Sequence, residues 1–214
     1  MIKLKQFVFN PLQVNAWLVY EERSSAILID PSFMDLEECS VISNYMDQTG
    51  ITIEFVINTH GHFDHVFGTG MLRNFTNAPI LIHENDLQLM YMAPKVARSF
   101  GFEFVGTIPE PDGFLKHKQK ITAGTIDVEV LHVPGHSQGC VAFYFPSMAC
   151  LFAGDTLFAG SIGRTDLPEG NYEQIIRSIK EQLFTLPDET KVFPGHGPST
   201  TIGKEKQSNP YVGA

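Results

Sequence analysis

His60-Gly61-His62-Phe63-Asp64-His65 places three imidazoles and one carboxylate within six residues, directly after the apolar run Glu54 to Asn58. On the chain's own His and Asp frequencies, roughly 5 in 10,000 sequences of this length would carry the pattern by chance. A metal-binding reading therefore outweighs coincidence.

Three further segments repeat one format, an apolar strand, a glycine and then a potential ligand. They are Val130-Leu131-His132-Val133-Pro134-Gly135-His136, Leu151-Phe152-Ala153-Gly154-Asp155 and Val192-Phe193-Pro194-Gly195-His196. Strands that end at a common edge bring their next residues to one site, and glycine lets the backbone turn there. The cluster and the residues that follow the three glycines together supply five histidines and two aspartates. Zinc and iron accept both donor types. The supply suits two metals better than one, with an aspartate bridging and a shared water made nucleophilic near neutral pH.

Around these segments the chain alternates strand-like and helical stretches. Ile2 to Phe9, Ala16 to Tyr20 and Ala26 to Ile29 are rich in branched and aromatic residues, and the last ends at the turn Asp30-Pro31. Ser32 and Asp35 read as a capped helix start, with Leu36, Cys39, Ile42, Tyr45 and Met46 forming an apolar stripe that stops at Gly50. Beyond the His cluster, Val66 to Phe75 reads as helix, Ile80 to Ile82 as a buried strand, and Asn85 to Met92 as a helix ended by Pro94. Ala93 to Lys120 is less regular and reads as surface loop. Strands return at Ile126 to Val133, Val141 to Phe145 and Ala149 to Phe152, followed by a helix with Tyr172, Ile175, Ile176, Ile179 and Leu183 on one face. A last strand is expected at Lys191 to Phe193. Grouped strands with an intervening helix in each half point to two βα lobes within a single domain over residues 1–214.

The motif His60-Gly61-His62-Phe63-Asp64-His65, with Pro134-Gly135-His136-Ser137, Gly154-Asp155-Thr156-Leu157-Phe158 and Gly195-His196-Gly197-Pro198, resembles the metallo-β-lactamase superfamily across nearly the whole chain. Within it, Gly154 through Asp166 and the tail Thr200-Thr201-Ile202-Gly203 through Asn209-Pro210 look most like the short bacterial glyoxalase II-like hydrolases. The resemblance implies an α+β fold, a four-layer αββα sandwich. It implies two divalent transition-metal ions, zinc foremost with iron or manganese compatible. His60, His62 and His136 would hold the first, and Asp64, His65 and His196 the second, with Asp155 bridging. It further implies hydrolysis of S-lactoylglutathione or a related acyl-thiol by attack of a metal-activated hydroxide on the thioester carbonyl. Asp64 and Asp155 would be the catalytic carboxylates, Asp64 helping to orient the hydroxide.

The chain departs from full-length glyoxalase II enzymes in two respects. Those enzymes carry a C-terminal helical domain that holds glutathione, whereas eighteen residues follow His196 here. Arg164-Thr165-Asp166 stands where they place a basic residue and a tyrosine. The nearest rival is a persulfide dioxygenase, which the Gly163-Arg164-Thr165-Asp166 stretch also resembles. There one iron would sit on His60, His136 and Asp155. A lactonase, a β-lactamase and a non-catalytic metal-binding protein are weaker alternatives.

Other polar residues read more plainly. His83 reads as a structural or ligand-supporting histidine, His132 as a hydrogen-bonder near the site, and His117 as a surface residue. Arg164 suits either a substrate carboxylate or a pair with Asp166 in its own loop. Lys204 and Lys206 read as a solvated face, and the 17 phenylalanines as core. Cys39, Cys140 and Cys150 show no CxxC spacing and read as buried reduced thiols. A formal charge of -9 argues against a broad nucleic-acid or anionic-lipid footprint, so the expected partner is a small molecule. No signal-peptide-like or bilayer-length apolar run is present, and the expected compartment is the cytoplasm.

Overall fold

The computed structural model describes residues 1–73 and 75–213. The first sheet holds β1 (Ile2–Phe9), β2 (Val14–Glu21), β3 (Ser25–Ile29), β4 (Thr52–Ile57), β5 (Ile80–His83) and β6 (Gly113–Leu115), in that spatial order. β1 to β3 form an antiparallel meander, and β3 to β6 run parallel. Its helices are α1 (Leu36–Thr49), the single turns α2 (Phe63–Val66) and α3 (Thr69–Leu72), and α4 (Leu87–Ser99).

The second half contributes β7 (Lys120–Ala123), β8 (Ile126–His132), β9 (Val141–Phe145), β10 (Cys150–Gly154), the small hairpin β11 (Leu157–Phe158) and β12 (Ser161–Ile162), then β13 (Lys191–Pro194) and β14 (Thr200–Thr201). Its large sheet is ordered β14-β13-β10-β9-β8-β7. The helices are α5 (Tyr172–Ser178), prolonged by a wider turn over Ile179–Leu183, and α6 (Ile202–Ser208). Among the described residues no helix is long and apolar enough to cross a membrane.

The period-two alternation of strand side chains sorts the apolar residues into three cores. From β2 and β3, Trp17, Val19, Ile27 and Ile29 face the other sheet, where they meet Val128, Val130, Phe143, Phe145 and Phe152. Their neighbours Ala16, Leu18, Tyr20, Ala26 and Leu28 point the other way, against Cys39, Ile42, Leu72, Met90 and Ala93 of the helices. The second sheet repeats the arrangement. Ala142, Leu151 and Ala153 turn outward to Ile175, Ile179, Leu183 and Ile202. Both faces of both sheets are thus buried, giving the expected order helix, sheet, sheet, helix.

The ends of α1 follow the sequence cues. Asp35 is the N-cap and accepts from the Glu38 backbone N–H, and Gly50 closes the helix at φ 66°. Two helical expectations need correction. Val66 to Phe75, which includes Asn74 outside the described residues, is not one helix; α2 and α3 are separate turns joined at Phe67 and Gly68. Gly68 lies so close to Phe33 that a Cβ would come within 2.4 Å of its ring. The packing therefore sets the backbone there. α4 runs through Pro94 to Ser99, although proline in a helix interior costs about 3 kcal/mol. Met90 and Ala93 before it and Ala97 after it are all buried, so tertiary packing overrides the local cost.

Short elements escaped the sequence patterns: β6, β7, β11, β12, β14 and α6. The buried Glu205 carboxylate anchors α6, accepting from Gly160 N, Thr200 Oγ1 and Asn209 Nδ2. Lys206 is not a purely solvated charge, since its Nζ lies 2.6 Å from Asp188 Oδ1. Phe143 is fully buried between the sheets. Phe143→Ala is expected to lower stability by about 3–5 kcal/mol, and the melting temperature by roughly 10 °C, with urea and thermal unfolding as the checks.

Candidate metal centre

β3, β4 and β5 run parallel, so their C-terminal ends lie on one edge of the first sheet. β8, β10 and β13 also share a direction, since β8 and β10 are each antiparallel to β9 and β10 is parallel to β13. The strand-end residues named from the sequence therefore meet at one end of the sandwich. Backbone bonds stitch the sheets together there: Asn15 N donates to Gly195 O at 2.7 Å, and Val141 N to Thr59 O at 2.8 Å. Asn15 Nδ2 also donates to the Pro194 and Gly197 carbonyls.

Three groups of side chains converge with their ligand atoms within 4.8 Å of one another: His60, His62 and His136; Asp64, His65 and His196; and His60, His65 and Asp155. All seven proposed ligands are brought together. Asp155 lies between the first two groups. Its Oδ1 is 3.5 Å from His65 Nε2, and its Oδ2 is 3.7 Å from His136 Nε2 and 3.5 Å from His196 Nε2. Gly195 allows this approach, because a Cβ there would sit 2.2 Å from Asp155 Oδ1 and 2.6 Å from His65 Cε1.

Hydrogen bonds fix which ring nitrogen is offered inward. Thr59 Oγ1 donates its single proton to Asp30 Oδ2 at 2.7 Å, so at His60 it accepts, which places the proton on Nδ1. His65 Nδ1 faces Asp30 Oδ2 at 3.0 Å, His136 Nδ1 the Arg164 carbonyl at 2.9 Å, and His196 Nδ1 the Leu12 carbonyl at 3.0 Å. Each acceptor calls for an N–H, so all four Nε2 atoms face the cluster, where each offers a lone pair once its ring is neutral. His62 presents Nδ1 instead, 2.8 Å from His136 Nε2.

The buried Nε2 of His60 and Oδ1 of Asp155 have no hydrogen-bond partner. Buried polar atoms without partners are costly. Two orphaned donor atoms inside a nest of imidazoles and carboxylates fit a metal ion, and the cluster is suited to hold one.

Electrostatics divides the cluster. Burial lowers the pKa of His60, and burial followed by the proximity of His136 takes His62 down to about 3, so His62 is neutral at pH 7. Burial also opposes charge on His65. There Asp155, Asp64 and Asp30 outweigh it and raise the pKa to about 10. His196 moves upward too, against burial, through its hydrogen bond to Asp64 and the charge of Asp155. Asp64 is held below the usual carboxylate range: burial opposes ionisation, but the adjacent His65 and His196 prevail.

Two supporting residues were not singled out from the sequence. Asp30, read as a turn residue, accepts from Thr59 N, Thr59 Oγ1 and His65 Nδ1. It follows a strand end directly, without the glycine of the ligand segments, and that position was its signal. Asp86 accepts from Gly61 N at 2.9 Å, Ser137 Oγ at 2.6 Å and Gly139 N at 2.6 Å, tying the His60 loop to the His136 loop. Nothing local in the sequence marks it.

The remaining polar residues fall mostly as expected. His83 and His132 stack at 4.2 Å outside the ligand groups, and the exposed His117 accepts from His132 N. Arg164 is bound by Asp166 through two contacts of 2.8 Å, the loop-internal alternative. All three cysteines are free and buried. The cluster opens into a cavity of about 490 Å³. A larger hollow of about 880 Å³, bordered by Met46, Phe55 and Pro79, includes none of the cluster residues.

Asp86 is almost fully buried, and burial raises its pKa despite three donors. Asp86→Ala would strand those donors. A loss of about 3 kcal/mol is expected in urea unfolding, with Asp86→Asn losing less.

Comparison with known proteins places this geometry. A family model described as the metallo-beta-lactamase superfamily matches residues 9–196. Hydroxyacylglutathione hydrolase GloC of Haemophilus influenzae is 34% identical over 207 residues, 94% of this chain and 93% of that protein. Two solved structures align over nearly their whole length. TTHA1623 in a di-iron-bound form is 39% identical at TM-score 0.86, covering 97% of this chain and 99% of its own. The BLEG-1 B3 metallo-beta-lactamase is 32% identical at TM-score 0.89, covering 98% and 99%.

Proposed function

Since the chain belongs to the metallo-β-lactamase superfamily and is a metal-dependent hydrolase, we propose that it cleaves acyl-thioesters, S-lactoylglutathione or a related acyl-thiol, at a dinuclear centre. His60, His62 and His136 would hold one ion and Asp64, His65 and His196 the other, with Asp155 shared. Zinc is the ion proposed, and iron and manganese suit the same donors. One observation carries the dinuclear reading: two triads of inward-facing donors lie on either side of one carboxylate whose Oδ1 has no other partner. The acyl-thiol is supported by likeness to the Haemophilus hydrolase.

Bound ions supply a Lewis acid for the carbonyl oxygen and a water acidic enough to act as nucleophile near neutral pH. The chain's own residues do the rest. Asp64, kept ionised by His65 and His196, would present a carboxylate that accepts a hydrogen bond from the attacking water and orients it. Asp155 holds the two triads in register. Asp30, Thr59 and the Arg164 and Leu12 carbonyls keep the imidazoles from rotating. The proposed partner is a small acyl-thiol, and the proposed compartment is the cytoplasm, in keeping with three unpaired buried thiols.

Reconstituted protein is expected to contain two transition-metal ions per chain by elemental analysis; a single tightly held iron that admits no second metal would sink the dinuclear reading. The same protein should release free thiol from S-lactoylglutathione or another acyl-thiol. Oxygen uptake with glutathione persulfide, without any thioester hydrolysis, would point to a dioxygenase instead. Asp155→Ala should reduce turnover by at least about 100-fold while leaving the circular dichroism spectrum intact.

Proton linkage offers an independent check. His65, its pKa raised to about 10, carries a proton at pH 7 that a cation must displace, His196 is shifted in the same direction, and His62 has none to lose. Metal addition at pH 7 should therefore release protons, and affinity should fall as pH falls. Calorimetry in two buffers of different ionisation enthalpy measures the release, and zero release would contradict the assignment.

A further inference from the structure

The wall of the cavity in front of the cluster is mostly apolar. Leu89, Met92, Val96 and Phe100, at spacings of three, four and four, line it from one face of α4 and the helix end. A neighbouring face of the helix already buries Met90, Ala93 and Ala97 in the core. The cavity-side stripe is therefore additional to what the fold requires. It is also uncovered: Met92 is 42% and Phe100 62% exposed. Phe63 stacks on Phe100 with ring centroids 5.5 Å apart, and Leu167 also lines the cavity.

Charge on the same wall is of the wrong kind for an anionic ligand. Among the described residues lining the cavity, Arg164 is the only permanent cation, and Asp166 already engages it in two hydrogen bonds. Glu169 adds a carboxylate. A carboxylate-bearing group lying away from the reaction centre would find no unpaired Lys or Arg on that lining, and would leave the apolar stripe in water.

We propose that the α4 wall selects thioesters with an uncharged, apolar group flanking the scissile bond, over those flanked by a carboxylate. The proposal rests on the thioester hydrolase reading and narrows it: glutathione carries two carboxylates, so the wall favours the related acyl-thiols over S-lactoylglutathione. The cavity of about 490 Å³ lies within the roughly 300–1,000 Å³ range of small-molecule sites. Burying each added methylene on the stripe raises kcat/KM by roughly threefold to fourfold until the wall is covered.

The test uses the metal-reconstituted full chain with thioesters of neutral N-acetylcysteamine, running from acetyl through butyryl and hexanoyl to octanoyl. Succinyl-N-acetylcysteamine is the charged control. A second series lengthens the thiol side, from S-ethyl to S-hexyl thioacetate. The expected result is a rise in kcat/KM with chain length on at least one flank, and a succinyl ester at least about tenfold poorer than butyryl. Met92→Glu should flatten the length dependence by penalising hexanoyl more than acetyl, whereas Met92→Leu should preserve it. A flat response on both flanks, or succinyl matching butyryl, overturns the selectivity while leaving the hydrolase standing. No hydrolysis of any thioester, S-lactoylglutathione included, overturns both.

Discussion

An imidazole has two nitrogens, and what one of them touches decides what the other can do. Four histidines of this cluster satisfy Nδ1–H on oxygens built into the scaffold: a threonine hydroxyl, an aspartate, and the carbonyls of Arg164 and Leu12. The rings cannot turn away without abandoning those oxygens. Four Nε2 atoms are consequently aimed at a common space in a low-dielectric pocket, where unpaired polar atoms are costly. The strand directions, the glycines beside the ligands and the Asp30 and Asp86 networks all serve that orientation.

Much of this was legible in the residues. The continuous apolar runs Ala16 to Tyr20 and Val141 to Phe145 mark strands, which the fold buries on both faces, and the four strand-end segments name every member of the ligand groups. These signals are local, lying within a few residues of one strand end. They also repeat, which separates them from background.

The illegible parts depend on distant neighbours. Asp86 matters because Gly61, Ser137 and Gly139 come to it from two other loops, and no window around Asp86 contains them. The passage of α4 through Pro94 is decided by core contacts on both sides of the proline. Arg164 had two equally reasonable tasks, and the loop conformation that brings Asp166 within 2.8 Å is a tertiary outcome. α6 lacks a strong apolar stripe. Its placement follows from one buried carboxylate, Glu205, reaching groups before it and after it.

Each of the two main triads takes two residues from the first sheet's half of the chain and one from the second: His60 and His62 with His136, and Asp64 and His65 with His196. Neither half holds a complete set. A cation seated in either triad would therefore be a cross-link between sequence-distant lobes as well as a reagent, and its binding energy would favour the closed sandwich over any state in which the sheets part. Ligand capture and fold integrity thus become thermodynamically the same event, with the folded state withholding the ion from chelators and the ion withholding the chain from partial unfolding.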